Sequence, residues 1–359
     1  MTVAEVGSGD GACGREVVAG GARIAGVVSC VPTREVDNAG FVERFGEQAV
    51  HDVVKMIGVT RRRHVDAGTT TRDLCRVAGQ RLLADLAWDP AGIDALIFVT
   101  QTPDFRLPAT ACVLQAELGL STSCIAFDIN LGCSGYPYAL WLGMTMIQSG
   151  AARRVLLAVG DTVTRMVDPA DRATAMIFGD AGTVTALEAS ADAPRASFVL
   201  GTDGRGASHL IVPEGAFGRT PADDPRLRDR DPACLFMDGG EIFNFTLRAI
   251  PPLVARTMAL GGVPAVEYDA FLFHQANRFM LNHLVKKCKL PADRVPINIG
   301  DYGNTSSASI PLLMTTSLRE QLRERGGRLA MFGFGVGYSW GAAALETGPV
   351  RVVETIDYD

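Results

Sequence analysis

Asp128-Ile-Asn-Leu-Gly-Cys133-Ser-Gly135 stands between a short apolar run and a long apolar segment. The run before it, residues 124–127, reads as a buried strand. The segment after it reaches Gly150 with helical spacing: Tyr138, Leu142 and Met146 on one side, with Leu140, Met144 and Ile147 beside them. One cysteine is therefore expected at a strand-to-helix elbow, on the first turn of a helix. Unpaired N–H groups there lower a thiol pKa and bind an oxyanion. A single residue can then serve as nucleophile and as part of an oxyanion hole.

Outward from the elbow, strands and helices alternate. Strands are expected over residues 23–31, 95–100, 154–159 and 183–187, and helices over 38–45 and 48–57. Thr70-Thr-Arg-Asp73 reads as a capping box for a helix carrying Leu74, Val77, Leu82 and Leu86, ended by Asp89-Pro90. Another helix starts at Pro108 with Cys112, Leu114 and Leu118. Residues 219–232 are polar and read as an exposed loop. Beyond them come a helix over 241–260 bent at Pro251-Pro252, a strand over 270–273, helices over 277–289 and 306–323, and strands over 328–332 and 338–345. This order indicates an α/β chain with a layered, largely parallel sheet. Residues 23–190 and 191–359 share a coarse pattern and are expected to form two similar halves, preceded by a flexible tail over 1–22. The glycine-rich stretch 7–14 lies in that tail, with no strand before it to make it a dinucleotide loop.

Composition narrows the function classes. With 359 residues and 47% hydrophobic content the chain can bury a large core. A net charge of −6 argues against nucleic acid and anionic membranes as partners. No apolar run has membrane-spanning length, and residues 1–21 lack the basic and apolar regions of a signal peptide, so a cytoplasmic location is expected. Eight cysteines are scattered without C-x-x-C or zinc spacing and are expected to be reduced and mostly buried. His51, His64, His209 and His283 make no ligand spacing, so no metal is expected. Gly333-Phe-Gly-Val-Gly337 follows a strand but precedes another strand, which leaves no helix to receive a phosphate.

Three elements converge on one chemistry: Cys133, Phe273-His274-Gln-Ala-Asn277, and Tyr302-Gly-Asn304-Thr-Ser-Ser-Ala-Ser309. Each histidine or asparagine alone could be a core residue or a helix cap. Together they place reactive groups where strand ends feed helix starts, the usual site position in α/β sheets. A thiolate can accept an acyl group from a thioester. A neutral imidazole and a carboxamide can stabilise the enolate left when a malonyl-type thioester loses carbon dioxide, without a counter-charge that holds the carboxylate in place.

Leu131-Gly-Cys133-Ser-Gly, His274-Gln-Ala-Asn277, Gly303-Asn304-Thr-Ser and Phe334-Gly-Val-Gly-Tyr-Ser-Trp-Gly341 resemble the β-ketoacyl-acyl-carrier-protein synthase III family, thiolase-superfamily condensing enzymes that start fatty-acid chains. Asp168-Pro-Ala-Asp-Arg172 and Ile177-Phe-Gly-Asp180 match further family blocks, so the similarity runs from about Arg23 to Leu345. The resemblance implies a thiolase-like five-layered αβαβα fold from two pseudo-symmetric halves, and a homodimer. It implies Cys133 as the acyl-accepting nucleophile, His274 and Asn304 as the decarboxylation pair, and the backbone N–H groups of Cys133 and Val336 as the oxyanion hole. It implies no tightly bound cofactor, only thioester substrates on coenzyme A or acyl carrier protein. Asn277, Arg172, Leu107 and Phe334 would contact substrate or its pantetheine arm. Lys286, Lys287 and Arg278 are candidates for docking an acidic carrier protein.

Some positions depart from the family pattern. Most members carry glycine where Val336 stands. Asp52 replaces the tryptophan of the coenzyme A adenine clamp and Met56 replaces a nearby arginine, while Arg172 matches the clamp's other arginine. A carrier-bound acyl group or another thioester therefore suits the site at least as well as acetyl-coenzyme A. Leu107, often phenylalanine in relatives, leaves room for a longer or branched acyl group. The family's docking arginine aligns with Phe279, one place after Arg278. The alternative reading is an acyltransferase or cyclising condensing enzyme of specialised metabolism.

Overall fold

The computed structural model describes residues 14–218 and 224–358. Two mixed β-sheets carry the architecture. A six-stranded sheet runs in the order Val352–Tyr358, Ala22–Pro32, Ala181–Ala189, Arg154–Asp161, Ala95–Val99, Ile125–Ile129. A five-stranded sheet runs Arg15–Ala19, Ala196–Thr202, Ser339–Thr347, Gly327–Gly335, Ala270–Phe273. Both contain antiparallel neighbours at their centres, Ala22–Pro32 beside Ala181–Ala189 and Gly327–Gly335 beside Ser339–Thr347. The sheets are thus mixed rather than largely parallel. Alternation of strand and helix does not report that two consecutive strands, such as Gly327–Gly335 and Ser339–Thr347, join as a hairpin.

Helices Gly135–Gln148 and Ser309–Thr316 fill the space between the sheets. Tyr136, Leu140, Met144, Ile310, Leu313 and Met314 pack in one core with Ile97, Val159, Leu272 and Met331 from the two sheets. Helix Gly135–Gln148 is apolar nearly all round, as a helix covered on both sides must be. Helix Thr71–Leu86 covers the outer face of the six-stranded sheet through Leu74, Ala78 and Leu82. Helix Gly239–Gly261 covers the outer face of the other through Phe245, Ile250 and Leu253. The result is five layers, αβαβα.

Several expected boundaries change. Arg15–Ala19 lies within the stretch expected as a flexible tail, yet it pairs antiparallel with Ala196–Thr202. Residues 1–13, and so most of the glycine-rich stretch, lie outside the described residues, as do 219–223 of the polar loop. Val352–Tyr358 pairs parallel with Ala22–Pro32, in the sheet built otherwise from the N-terminal half. The two ends of the chain are therefore exchanged between the halves, across the division expected at residue 190. The helix expected over 306–323 is three pieces, a 3-10 turn Ser306–Ala308 and helices Ser309–Thr316 and Arg319–Glu324. Of the seven described cysteines, only Cys30, Cys75 and Cys133 are buried, and Cys112 is exposed.

The strand Ile125–Ile129 is an edge strand, and Ile125 is 45% exposed rather than buried. Asp128 within it accepts from the backbone N–H groups of Thr110 and Ala111, both at 2.7 Å. Its carboxylate caps helix Thr110–Glu117, which explains a charge inside an otherwise apolar strand. The Thr70–Asp73 capping box is present as expected. No helix among the described residues is long and apolar enough to cross a membrane.

Candidate active site

Cys133 lies in the turn between strand Ile125–Ile129 and helix Gly135–Gln148, two residues before the first helical residue. It is 9% exposed. Its own N–H and that of Val336 face the thiol, as does the Ser306 side chain. The loop that carries Val336 is tied to the elbow. The Ser339 hydroxyl donates to the Val336 carbonyl at 2.8 Å, and the Ser134 and Ser339 hydroxyls meet at 2.6 Å. The Val336 side chain takes its room from Gly132, where an added Cβ would come within 2.9 Å of Val336 Cγ1 and collide with Gln101 Oε1. The absence of a side chain at Gly132, next to Cys133, thus leaves space for the valine.

Burial pushes the Cys133 thiol up to about 11, and the nearby Asp161 charge adds to that. This corrects the expectation of a lowered pKa. The helix end does act on the sulfur through N–H groups, but desolvation of a buried thiolate outweighs it. Asp161 is fully buried at the end of strand Arg154–Asp161. It accepts from the Gln101 N–H at 2.6 Å, the Thr100 hydroxyl at 3.1 Å and the Ser307 hydroxyl at 2.9 Å. Burial raises its pKa while these donors oppose the rise.

His274 follows strand Ala270–Phe273 and prolongs its pairing, its N–H donating to the Phe332 carbonyl at 2.8 Å. The ring is buried and meets Phe334 edge-on, with centroids 5.8 Å apart. Nδ1 lies 2.9 Å from the Ser309 hydroxyl oxygen and 3.2 Å from the Ser306 carbonyl oxygen. The ring's hydrogen-bond contacts with Ser306 and Ser309 both run through Nδ1. Burial holds the imidazole down to about 4, so it is neutral at pH 7.

Asn304 follows the short helix Ile299–Tyr302. Its N–H donates to the Ile177 carbonyl at 2.8 Å and its carbonyl accepts from Gly179 at 3.1 Å, a bridge between the two halves. Its side-chain oxygen accepts from the Ser306 N–H at 2.9 Å. Ser306 therefore stands between all three groups: its side chain faces Cys133, its N–H holds Asn304, and its carbonyl faces His274 Nδ1. It does so with φ at +50°, a left-handed conformation uncommon for a residue with a side chain. The structure brings Cys133, His274 and Asn304 around this one residue.

The remaining candidates are more dispersed. Phe334 and Val336 belong to the site. Asn277 caps helix Arg278–Lys287, its side-chain oxygen accepting from the Met280 N–H at 2.8 Å. That leaves its amide N–H groups for other contacts. Arg172 is exposed in the loop after the 3-10 turn Val163–Met166. Leu107 is 82% exposed. Arg278 packs on Gly58, the cap of helix Glu47–Ile57. Lys287 donates to the Leu247 carbonyl at 3.0 Å, while Lys286 is exposed. Phe279, 52% exposed, lies against Phe243. Sequence reasoning missed Asp161, Ser306 and Ser309. The run of serines after Asn304 signalled only small residues on a helix turn.

Comparison with known proteins sets this geometry in context. Residues 127–204 match the family model described as 3-oxoacyl-[acyl-carrier-protein (ACP)] synthase III, and residues 258–347 match that of its C-terminal part. A β-ketoacyl-[acyl-carrier-protein] synthase III of Alkalilimnicola ehrlichii is 34% identical over 324 residues, spanning 90% of this chain and 98% of its own. The crystal structure of a 3-oxoacyl-(acyl-carrier protein) synthase from Burkholderia xenovorans LB400 matches with a TM-score of 0.95 at 64% identity, over 96% of this chain and 99% of its own. The priming β-ketosynthase from the R1128 polyketide biosynthetic pathway matches with a TM-score of 0.79 at 28% identity, over 92% and 97%.

Proposed function

Since the chain belongs to the β-ketoacyl-[acyl-carrier-protein] synthase III family of condensing acyltransferases, we propose that Cys133 is its acyl-accepting nucleophile and that His274 and Asn304 drive decarboxylation. The observation that carries this reading is the junction at Ser306, whose carbonyl lies against the imidazole and whose N–H holds the carboxamide, while its side chain faces the thiol.

The reaction follows from the groups. Cys133 sulfur attacks the carbonyl of an acyl thioester, and the tetrahedral oxyanion accepts from the N–H groups of Cys133 and Val336. Collapse expels the pantetheine thiolate, which takes up the proton that the cysteine lost. A malonyl-type thioester then enters. Its C–C bond to the carboxylate breaks, carbon dioxide leaves, and the electron pair forms an enolate whose oxygen accepts from Asn304 Nδ2–H and His274 Nε2–H. The enolate carbon attacks acyl-Cys133, and collapse releases a β-ketoacyl thioester and the cysteine thiolate, which regains a proton. Each lost oxyanion donor costs about 3–4 kcal/mol of transition-state stabilisation. Neither step asks for a tightly bound cofactor.

The enzyme acts in the cytoplasm as a homodimer, with acyl carrier protein as partner. Edge strand Ile125–Ile129 supplies the dimer contact, and exposed Leu107 reaches the partner's acyl pocket. Asn277, Arg172 and Phe334 bind the thioester, with Arg278, Lys286 and Lys287 on the carrier-facing side. The exposed carboxylate of Asp52, on helix Glu47–Ile57, disfavours the phosphates of coenzyme A there and supports a carrier-bound primer.

Intact-protein mass spectrometry after exposure to a panel of acyl-coenzyme A and acyl-carrier thioesters tests the first half. An acyl adduct is expected on the wild type and absent from Cys133→Ala. Carbon dioxide release tests the second, and a wild-type rate in His274→Ala would remove the assigned role. Product mass separates condensation, which retains two malonyl-derived carbons, from plain acyl transfer.

A further inference from the structure

We propose that Ser309 is the positioning residue that gives His274 access to its Nε2–H tautomer, and so licenses decarboxylation. This rests on the reading of His274 as a decarboxylation residue. Three polar atoms form a closed triangle: His274 Nδ1 to Ser309 Oγ at 2.9 Å, His274 Nδ1 to the Ser306 carbonyl oxygen at 3.2 Å, and Ser309 Oγ to the same carbonyl oxygen at 2.9 Å. All three groups are buried.

The inventory of hydrogens decides what the triangle can do. A carbonyl oxygen only accepts, whereas a hydroxyl has one hydrogen and two lone pairs. When the Ser309 O–H donates to the Ser306 carbonyl, Nδ1 must carry the ring proton, and Nε2 presents a lone pair to the chamber. When the Ser309 O–H turns to Nδ1, that nitrogen becomes an acceptor and Nε2 carries the proton. An enolate oxygen needs the second arrangement, because it must receive a hydrogen from Nε2. Moving between them takes one proton off Nδ1 and places one on Nε2, exchanged with water, with no net change of charge.

Ser309 is the member of this triangle able to donate to Nδ1. Without its hydroxyl, Nδ1 faces only a carbonyl, and the neutral ring is locked with its proton on Nδ1. Acyl transfer to Cys133 does not draw on an Nε2–H donor, because its oxyanion lies against backbone N–H groups. The two half-reactions therefore separate at this residue, which a general loosening of the site would not do.

The test uses full-length Ser309→Ala, Ser309→Thr and His274→Ala with a carrier-bound malonyl thioester. Ser309→Ala is expected to form acyl-Cys133 within about threefold of the wild-type rate and to lose roughly a hundredfold or more in carbon dioxide release, the loss typical of one oxyanion donor. Ser309→Thr, which keeps the hydroxyl, is expected to recover most of that loss. Nitrogen-15 spectra of histidine-labelled protein should show His274 as Nδ1–H only in Ser309→Ala, and an Nε2–H signal in the acylated wild type. Decarboxylation by Ser309→Ala within about threefold of wild type overturns the proposal, if His274→Ala has lost it. Undiminished decarboxylation by His274→Ala removes the underlying reading instead. Should Ser309→Ala fail to fold, an acylated wild type with only the Nδ1–H signal overturns the proposal by itself.

Discussion

The backbone N–H of Ser306 donates to the side-chain oxygen of Asn304 at 2.9 Å. An N–H can meet only the oxygen of a carboxamide, so this contact fixes which way the amide points. The Asn304 NH2 group is turned to the other side, as the proposed role of enolate donor requires. Asn304→Asp keeps the contact with Ser306 but replaces the NH2 group with a second carboxylate oxygen. That oxygen cannot donate and repels the malonyl carboxylate. Carbon dioxide release is expected to fall by about 10²–10³-fold, the cost of one lost donor, while acyl transfer to Cys133 persists. Separate assays of carbon dioxide and acyl-protein mass check both halves.

Reactivity of Cys133 should follow pH in an unusual range. With the thiol pushed up to about 11, the thiolate fraction rises about tenfold per pH unit from 7 to 10, without the plateau near 9 that an ordinary cysteine gives. Alkylation rates with iodoacetamide, read at Cys133 by mass spectrometry, measure this directly. Asp161 raises the thiol pKa by its charge, so Asp161→Asn should move the curve to lower pH. A gain of roughly threefold to tenfold in alkylation rate at pH 8 corresponds to a half to one pKa unit.

Gly335 ends strand Gly327–Gly335 beside Cys133. A Cβ there would lie 2.9 Å from Cys133 Sγ and 2.9 Å from its Cβ. The sulfur has nowhere to retreat, because the site around it is buried. Gly335→Ala is expected to slow acylation of Cys133 by roughly a hundredfold, the scale seen when reacting atoms are displaced by about an ångström. Circular dichroism should remain that of the wild type, since the clash is confined to the site.

Much of this architecture is legible in the chain because it depends on neighbours in sequence. The Thr70–Asp73 capping box spans four residues, and the helix it opens is the one observed. The elbow at Cys133 shows in the change of hydrophobic period around it. What escapes is decided by partners far away. Arg15–Ala19 and Val352–Tyr358 become strands because each finds a sheet edge across the molecule. Asp161 and Ser307 meet across 146 positions, and no local pattern announces a buried carboxylate whose charge reaches Cys133. The raised thiol pKa escapes local reading for the same reason. A helix end can be read from the residues beside it, but the burial that outweighs it is assembled by both halves.

The proposed dimer makes its own demand on the edge strand. Ile125 donates its N–H to the Asp94 carbonyl at 2.9 Å, and the Ile129 carbonyl accepts from Thr100 at 3.1 Å. Both residues thus point their backbone groups inward, toward strand Ala95–Val99. Period-two alternation turns the backbone groups of Ala126 and Asp128 the other way, off the sheet. A second copy related by a two-fold axis can pair with those groups and continue the sheet across the interface. Ala126→Pro removes one of the outward N–H groups, at an edge position where proline is otherwise tolerated. Light scattering should show the mass of the protein halved in this variant. Loss of the partner should also lower turnover with long acyl groups more than with short ones, since Leu107 would no longer border the opposite pocket. An unchanged mass would place the interface on a different surface and release Leu107 from that role.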